Sequence, residues 1–307
     1  MNLFKILADL EKVDPEVMDR LNHRRSALAA LGNITKKITL ATAPAILGAA
    51  FNKTLAQGAG SPLNDVLNYA LLLERLEAAF YIQALQAPTL TAAFTGNAGI
   101  RTGIEKIRDN ENAHVKLLEA ALGTNAAAAP RGFNFTAAYA DLPTFLTFAQ
   151  AFEDLGVRAY KGQAGNISRT ATATIPSVSV TNAGQTSTVA IGTVNVLQVA
   201  LQIHATEARH AAYVRYLRRQ PALGSSGSAG NQFGWITLAQ NNGAPAAVYG
   251  AGNGAAFPAE SNVSQANVDL TTLMATPAYT AAEVSEAFDE ALDSAKVREI
   301  ATPFILP

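Results

Sequence analysis

The chain has 307 residues, no cysteine, 15% charged residues and a formal net charge of −1. Without a basic excess it has little to offer a phosphate backbone, so nucleic acid is not expected as a partner. The missing cysteines exclude disulfides, thiolate nucleophiles and cysteine-held clusters. Any metal must then be held by carboxylate, imidazole, carbonyl or water, and each of the four histidines carries information.

Residues 1–60 read as an export signal and linker. Phe4, Ile6, Leu7 and Leu10 share a helical face, His23-Arg24-Arg25-Ser26 follows, and Lys36-Lys37 precede an apolar run from Ile38 to Phe51. That run is only about 14 residues long and contains Pro44, short of the roughly 20 a spanning helix needs, so no stable membrane anchor is expected. Paired arginines ahead of an alanine-rich apolar stretch are similar to a twin-arginine export signal, which implies a periplasmic destination. An amphipathic helix docked on the domain is the alternative, and it would leave the protein in the cytoplasm.

The next segment, 61–220, carries four long helical patterns. Leu63, Val66, Leu67, Ala70, Leu71 and Leu73 open a 3.6-residue period running to about Leu85, with Ser61 as N-cap and Pro62 in the first turn. Pro88, Gly96, Asn97 and Gly99 mark 87–99 as a loop. A second helix is expected from Ile100 to Leu122, stopped by Gly123, and a third from Leu142 to Gly162 after a connection over 124–140. Residues 165–190 change period: Thr170 to Ile175 and Ser177 to Val180 alternate around Pro176, then Asn182-Ala183-Gly184 follows, predicting a β-hairpin-like insertion. A fourth helix is expected from Thr193 to Arg219. Residues 221–262, with the sole Trp235, are rich in Gly, Asn and Ser and predict an irregular excursion. Thr280-Ala281-Ala282-Glu283 is a capping box opening a last helix with Val284, Phe288, Leu292 and Ala295 on one face. Residues 221–307 are thus an extension packing on an all-α four-helix bundle.

The bundle contains an internal duplication. Glu74 with Leu76 and Tyr81 on the first helix matches Glu153 with Leu155 and Tyr160 on the third. Glu111-x-x-His114 on the second matches Glu207-x-x-His210 on the fourth. Residues i and i+3 lie on one helical face about a turn apart, so a carboxylate and an imidazole can reach one ion together. The four helices then project four carboxylates and two imidazoles inward. Uncompensated, such charges cost several kcal/mol each in an apolar interior; two divalent cations balance them.

This constellation resembles the ferritin-like superfamily of di-iron or di-manganese carboxylate proteins. Leu73 to Tyr81, Glu207 to Ala212 and the tail from Ala287 to Ile305 are more narrowly similar to the bacterial ferritin-like-domain branch related to desiccation-associated proteins. The resemblance implies a bundle of two helical hairpins joined by a long crossover. It implies Glu111 and Glu207 as bridging ligands, His114 and His210 as one ligand to each metal, and Glu74 and Glu153 as terminal ligands. Glu77, one turn after Glu74, is a seventh ligand or an alternative to Glu74; its repeat partner is Gly156. Tyr81 and Tyr160 hydrogen-bond a ligand or a bound oxygen species, or else serve as core aromatics. His204 and the arginines Arg75, Arg108 and Arg209, which neighbour ligands in sequence, read as helix-surface residues.

The function this implies is redox chemistry with O2 or H2O2 at two metal ions, iron first and manganese as the alternative, in oxidative or desiccation stress. Oxidase, peroxidase and manganese-catalase-like reactions all use such a ligand set. A stress-protective bundle with a structural or vestigial metal site is the non-enzymatic alternative. The insertion and extension favour a monomer or small homo-oligomer over a 24-subunit shell.

Overall fold

A computed structural model describes residues 63–182, 184–220, 223, 232–272 and 278–306. The export-signal reading of 1–60 and the Ser61 cap lie outside the described residues.

Four long helices form the frame: α1 (Leu63–Gln86), α3 (Ala98–Leu122), α4 (Leu142–Ala164) and α5 (Val196–Arg218). Helix α1 packs along α3, and α4 along α5. Leu67 near the start of α1 shares an apolar cluster with Leu122 at the end of α3, so this pair is antiparallel. Asp154 meets Arg215 and Val157 meets His204, which makes α4 and α5 antiparallel too. Helix α4 opens beside the far end of α1, where Phe145 stacks on Phe80 at 5.2 Å. The segment 123–141 must therefore travel the length of the bundle. On the way it forms the short strand β1 (Gly132–Phe133) and a 3-10 turn whose Tyr139 hydroxyl donates to the Phe80 carbonyl at 2.6 Å.

Residues 87–99, expected as a loop, contain a helix, α2 (Pro88–Gly96). Its proline stands in the first turn, where no intrahelical N–H is needed, and its glycine at the last position. Both residues punctuate helix ends, and the pattern conceals the nine-residue helix between them.

The hairpin pairs β2 (Thr172–Asn182) with β3 (Gln185–Asn195) from Thr172↔Asn195 to Asn182↔Gln185. Gly184, at φ +79°, supplies the left-handed turn residue that a tight antiparallel reversal requires. Strand β2 lies against α3. The fourth helix starts later than expected, at Val196, because Thr193 and Val194 continue the strand. Asn195 then caps the helix by accepting from the Gln198 N–H at 2.9 Å.

The extension adds β4 (Ser264–Gln265), β5 (Val268–Asp269), α6 (Ala281–Glu286), α7 (Ser294–Ala301) and β6 (Ile305–Leu306), the last pairing with β1. The capping box at Thr280 and Glu283 is present, but the single helix predicted after it is broken. Between Glu286 and Ser294 the backbone is drawn to α4 instead. Arg158 donates to the carbonyls of Glu290 and Ala291, Lys161 donates to that of Asp289, and the Leu292 N–H donates to the Arg158 carbonyl. Those tertiary bonds replace helical ones, and Asp293 caps a new start.

Arg158 is fully buried. It also donates to the carbonyls of Val248, Gly250 and Pro258, and its Nε lies 2.8 Å from the Glu260 carboxylate. One side chain thus ties three strands of irregular chain to the bundle. No helix among the described residues is long and apolar enough to cross a membrane.

Two apolar clusters fill the bundle. One is aromatic, around Phe80, Phe135, Phe145 and Phe152; the other is aliphatic, around Leu67, Leu71, Leu118 and Ile203. On α3 the aromatic cluster takes residues up to Ile107 and the aliphatic one begins at Val115; on α5 the aliphatic cluster ends at Ile203 and the aromatic one starts at Val214. Glu111, His114, Glu207 and His210 fall in the gap, at the waist of the bundle with apolar packing on both sides.

Candidate metal centre

Glu74, Glu77, Glu111, Glu153, Glu207 and His210 are buried, and His114 is partly so. Glu74, Glu111, His114 and Glu207 form one group that can hold a metal ion; Glu111, Glu153, Glu207 and His210 form a second. In each, one ligating atom per residue lies within 4.8 Å of the others. Glu111 and Glu207 belong to both groups.

The two halves are arranged about a pseudo-twofold axis. His114 Nδ1 lies 3.0 Å from Glu74, 3.2 Å from Glu111 and 3.3 Å from Glu207. His210 Nδ1 lies 2.8 Å from Glu111, 3.3 Å from Glu153 and 3.9 Å from Glu207. Tyr81 donates to Glu153 and Tyr160 to Glu74, each tyrosine reaching across to the carboxylate of the other half. Each terminal carboxylate is thereby oriented by the duplicated copy of its own helix. The Tyr81 and Tyr160 hydroxyls touch the carboxylates for which the family resemblance implies a terminal-ligand role.

Glu77 breaks the symmetry. A Cβ placed on Gly156, its repeat partner, would stand 3.0 Å from Glu77 Oε1 and 3.5 Å from Glu207 Oε2. The Glu77 carboxylate occupies the room that the missing side chain leaves. It faces the cluster but belongs to neither group of four.

The electrostatics are those of a crowded, water-poor anionic core. Burial raises the Glu74 carboxyl to about 7, against the opposing pull of the His114 imidazole. Glu77 and Glu207 are pushed well above the carboxylate range by burial and by their carboxylate neighbours. Glu153 is raised by burial, with His210 opposing. Glu111 is also desolvated, but hydrogen bonds and attraction from His114 and His210 prevail and hold it at about 2. Burial disfavours both imidazolium ions, yet the carboxylates outweigh it: His210 rises to about 11 and His114 further. The metal-free core thus retains protons that cations would displace.

The fit to metal rests on the donor set and on what it leaves unsatisfied. Glu111 Oε1, Glu153 Oε2, both Glu207 carboxylate oxygens and His210 Nδ1 are buried and, among the described residues, lack a hydrogen bond of good geometry; the imidazoles beside them act as charge partners. Buried polar atoms in native proteins are normally paired, and atoms left in this state across two adjoining groups that share Glu111 and Glu207 fit a site that cations could fill.

One residue of this centre escaped the sequence reading. The Asn110 amide nitrogen lies 3.0 Å from His210 Nε2. Which amide atom faces the ring follows the ring's tautomer; with Nδ1 ligating, Nε2–H donates and Asn110 presents its oxygen. Its position one residue before Glu111 was the available signal. His204, read as a surface residue, is half-buried, and its Nδ1 lies 3.0 Å from the Val157 carbonyl, tying α5 to α4. Arg75, Arg108 and Arg209 pair with Glu119, Asp109 and Thr206, away from the cluster.

Residues 64–190 match the family model of the ferritin-like domain. The match supports the ferritin-like superfamily, and the predominantly helical bundle fits it. It ends before α5, so Glu207 and His210 lie beyond the matched span and are carried by the internal duplication. No curated protein and no solved structure matches the chain.

Proposed function

We propose that this bundle is a di-metal carboxylate protein, with iron as the first expected metal and manganese as the alternative, acting in redox chemistry with O2 or H2O2. The observation that carries the reading is that Glu111 and Glu207 each take part in both four-residue groups. Two carboxylates shared between two adjacent groups, each completed by its own imidazole, are what a bridged pair of ions requires.

When bound, such ions would supply the electrons that reduce an oxygen substrate. The chain's own residues have distinct duties. Glu74 and Glu153 would each complete one ion, and the Tyr160 and Tyr81 hydroxyls fix their orientation. Asn110 sets the ring of His210. The aromatic and aliphatic clusters keep bulk water from both sides. A role in oxidative or desiccation stress and an assembly no larger than a small oligomer are part of the same proposal. The latter is supported by an extension that covers α4, where it would obstruct shell contacts.

The test is metal analysis of protein purified without chelator, beside a Glu111→Ala/His210→Ala variant. About two iron or manganese per chain, lost in the variant, is the expected result, with O2 or H2O2 consumption by the metal-loaded protein. No metal bound after anaerobic incubation with Fe(II) and Mn(II) would overturn the reading.

A further inference from the structure

A cavity of about 40 Å3 opens in the aliphatic half of the bundle. One water needs roughly 10–15 Å3 on this measure, so the space admits a narrow molecule and not a peptide element. Its walls come from five sources: Leu67 and Ala70 on α1, Leu118 on α3, Ala159 on α4, Ile203 on α5 and Ile175 on the hairpin. No charged side chain lines it. The space is not sealed, since Leu117, Gln163 and Val199 at its edge are partly exposed.

Two tyrosines give the cavity chemical direction. Tyr160 forms part of the wall while its hydroxyl donates to Glu74. A molecule filling the cavity therefore stands one side chain from a carboxylate of the candidate metal centre. Tyr69 also lines the space, and its buried hydroxyl has no hydrogen-bond partner. A buried hydroxyl left unpaired is costly, and a ligand oxygen that reached it would relieve that cost.

We propose that this cavity binds a short aliphatic molecule bearing a single polar end. Aliphatic walls, a narrow bore and an opening between helix and hairpin select a flexible alkyl chain over a planar aromatic or a charged metabolite. The hairpin then has a task, since Ile175 and Val194 close one side of the space and the four helices alone would leave it open.

The experiment is calorimetric titration of the full chain, metal-free and metal-loaded, with 1-butanol, 1-hexanol and 1-octanol. Affinity is expected to rise about fourfold per methylene, as burial of each CH2 predicts, until the chain outgrows the cavity. Ala200→Phe, at a partly exposed wall position, is expected to weaken hexanol binding at least about tenfold on the same scale. Val199→Phe serves as a second block should the first fail to fold, and Leu201→Ala, on the exposed surface nearby, is expected to leave binding unchanged. In the metal-loaded protein, hexanol is expected to shift the metal's absorption spectrum through Tyr160 and Glu74. Absence of saturable binding by all three alcohols, or binding indifferent to both blocks, overturns the cavity proposal whatever the metal content. Saturable, block-sensitive binding by a chain that takes up no metal retains the cavity proposal and overturns the metal reading alone.

Discussion

Glu74→Gln separates the cost of the candidate metal centre from its use. In the metal-free protein, burial raises the Glu74 carboxyl from an ordinary 4.5 to about 7 even with His114 beside it. Above pH 7 the folded chain therefore bears an ionisation penalty of about 2.5 pKa units, or about 3 kcal/mol at 1.36 kcal/mol per unit. Glutamine keeps the shape and removes the charge. Chelator-treated variant and wild type are compared by urea unfolding at pH 8 and pH 4.5. At pH 8 the variant is expected to gain up to about 3 kcal/mol, and at pH 4.5, where Glu74 is protonated in the fold, the difference should vanish. With metal the gap narrows. Wild type gains about 2.7 kcal/mol at a free-metal concentration 100 times Kd, and the variant, lacking a carboxylate of the His114 group, gains less. A variant destabilised equally at both pH values, with unchanged metal uptake, would refute both the desolvation argument and the ligand assignment.

Three other outcomes follow from the same structure. Across rising pH the metal-free protein should lose stability: Glu74, raised from 4.5 to about 7, withdraws its share over that interval, and His210, raised from 6.5 to about 11, does so over the next. Glu111, lowered to about 2, acts oppositely, losing its contribution as pH falls below 4.5, so melting-temperature scans should peak in the mildly acidic range. Arg158→Met should cost about 3–5 kcal/mol by leaving Glu260 buried without its partner; it should loosen residues 232–272 to proteolysis while metal content stays constant. Tyr81→Phe and Tyr160→Phe should each weaken the metal-free protein by about 1–3 kcal/mol, and by similar amounts, because they remove equivalent bonds to Glu153 and Glu74. Unequal losses in urea melts would speak against the pseudo-twofold reading.

The ligand pattern was legible because histidine is rare in this chain and Glu-x-x-His recurs at one spacing in both halves. Glu111, His114, Glu207 and His210 declare themselves by position alone, and the structure brings them together with Glu74 and Glu153. What the sequence concealed was set by tertiary bonds. Helix α2 hid behind a proline and a glycine that mark its two ends. The last helix reads as continuous from Thr280, yet Arg158, more than 120 residues earlier, takes the carbonyls at Glu290 and Ala291 and breaks it. Nothing local to either segment announces that contact. An arginine on a helix reads as solvated, and only the packed structure reveals its fully buried guanidinium. The apolar cavity is equally non-local, assembled from all four long helices, α1, α3, α4 and α5, and from a hairpin distant in sequence.

Glu77 shows where duplication stops being symmetry. With five buried carboxylates and two neutral imidazoles around the core, two divalent ions leave one negative charge unbalanced. The environment already favours the proton on Glu77, which sits outside both four-residue groups and among four other carboxylates. A protonated Glu77 restores neutrality, and ionisation of Glu77 would accommodate a further positive charge on the pair. Gly156 is what makes this possible, since any side chain there would contend with the Glu77 carboxylate for the same space. The halves match in three pairs of candidate ligands and differ at this one pair, a difference that would make two ion positions inequivalent.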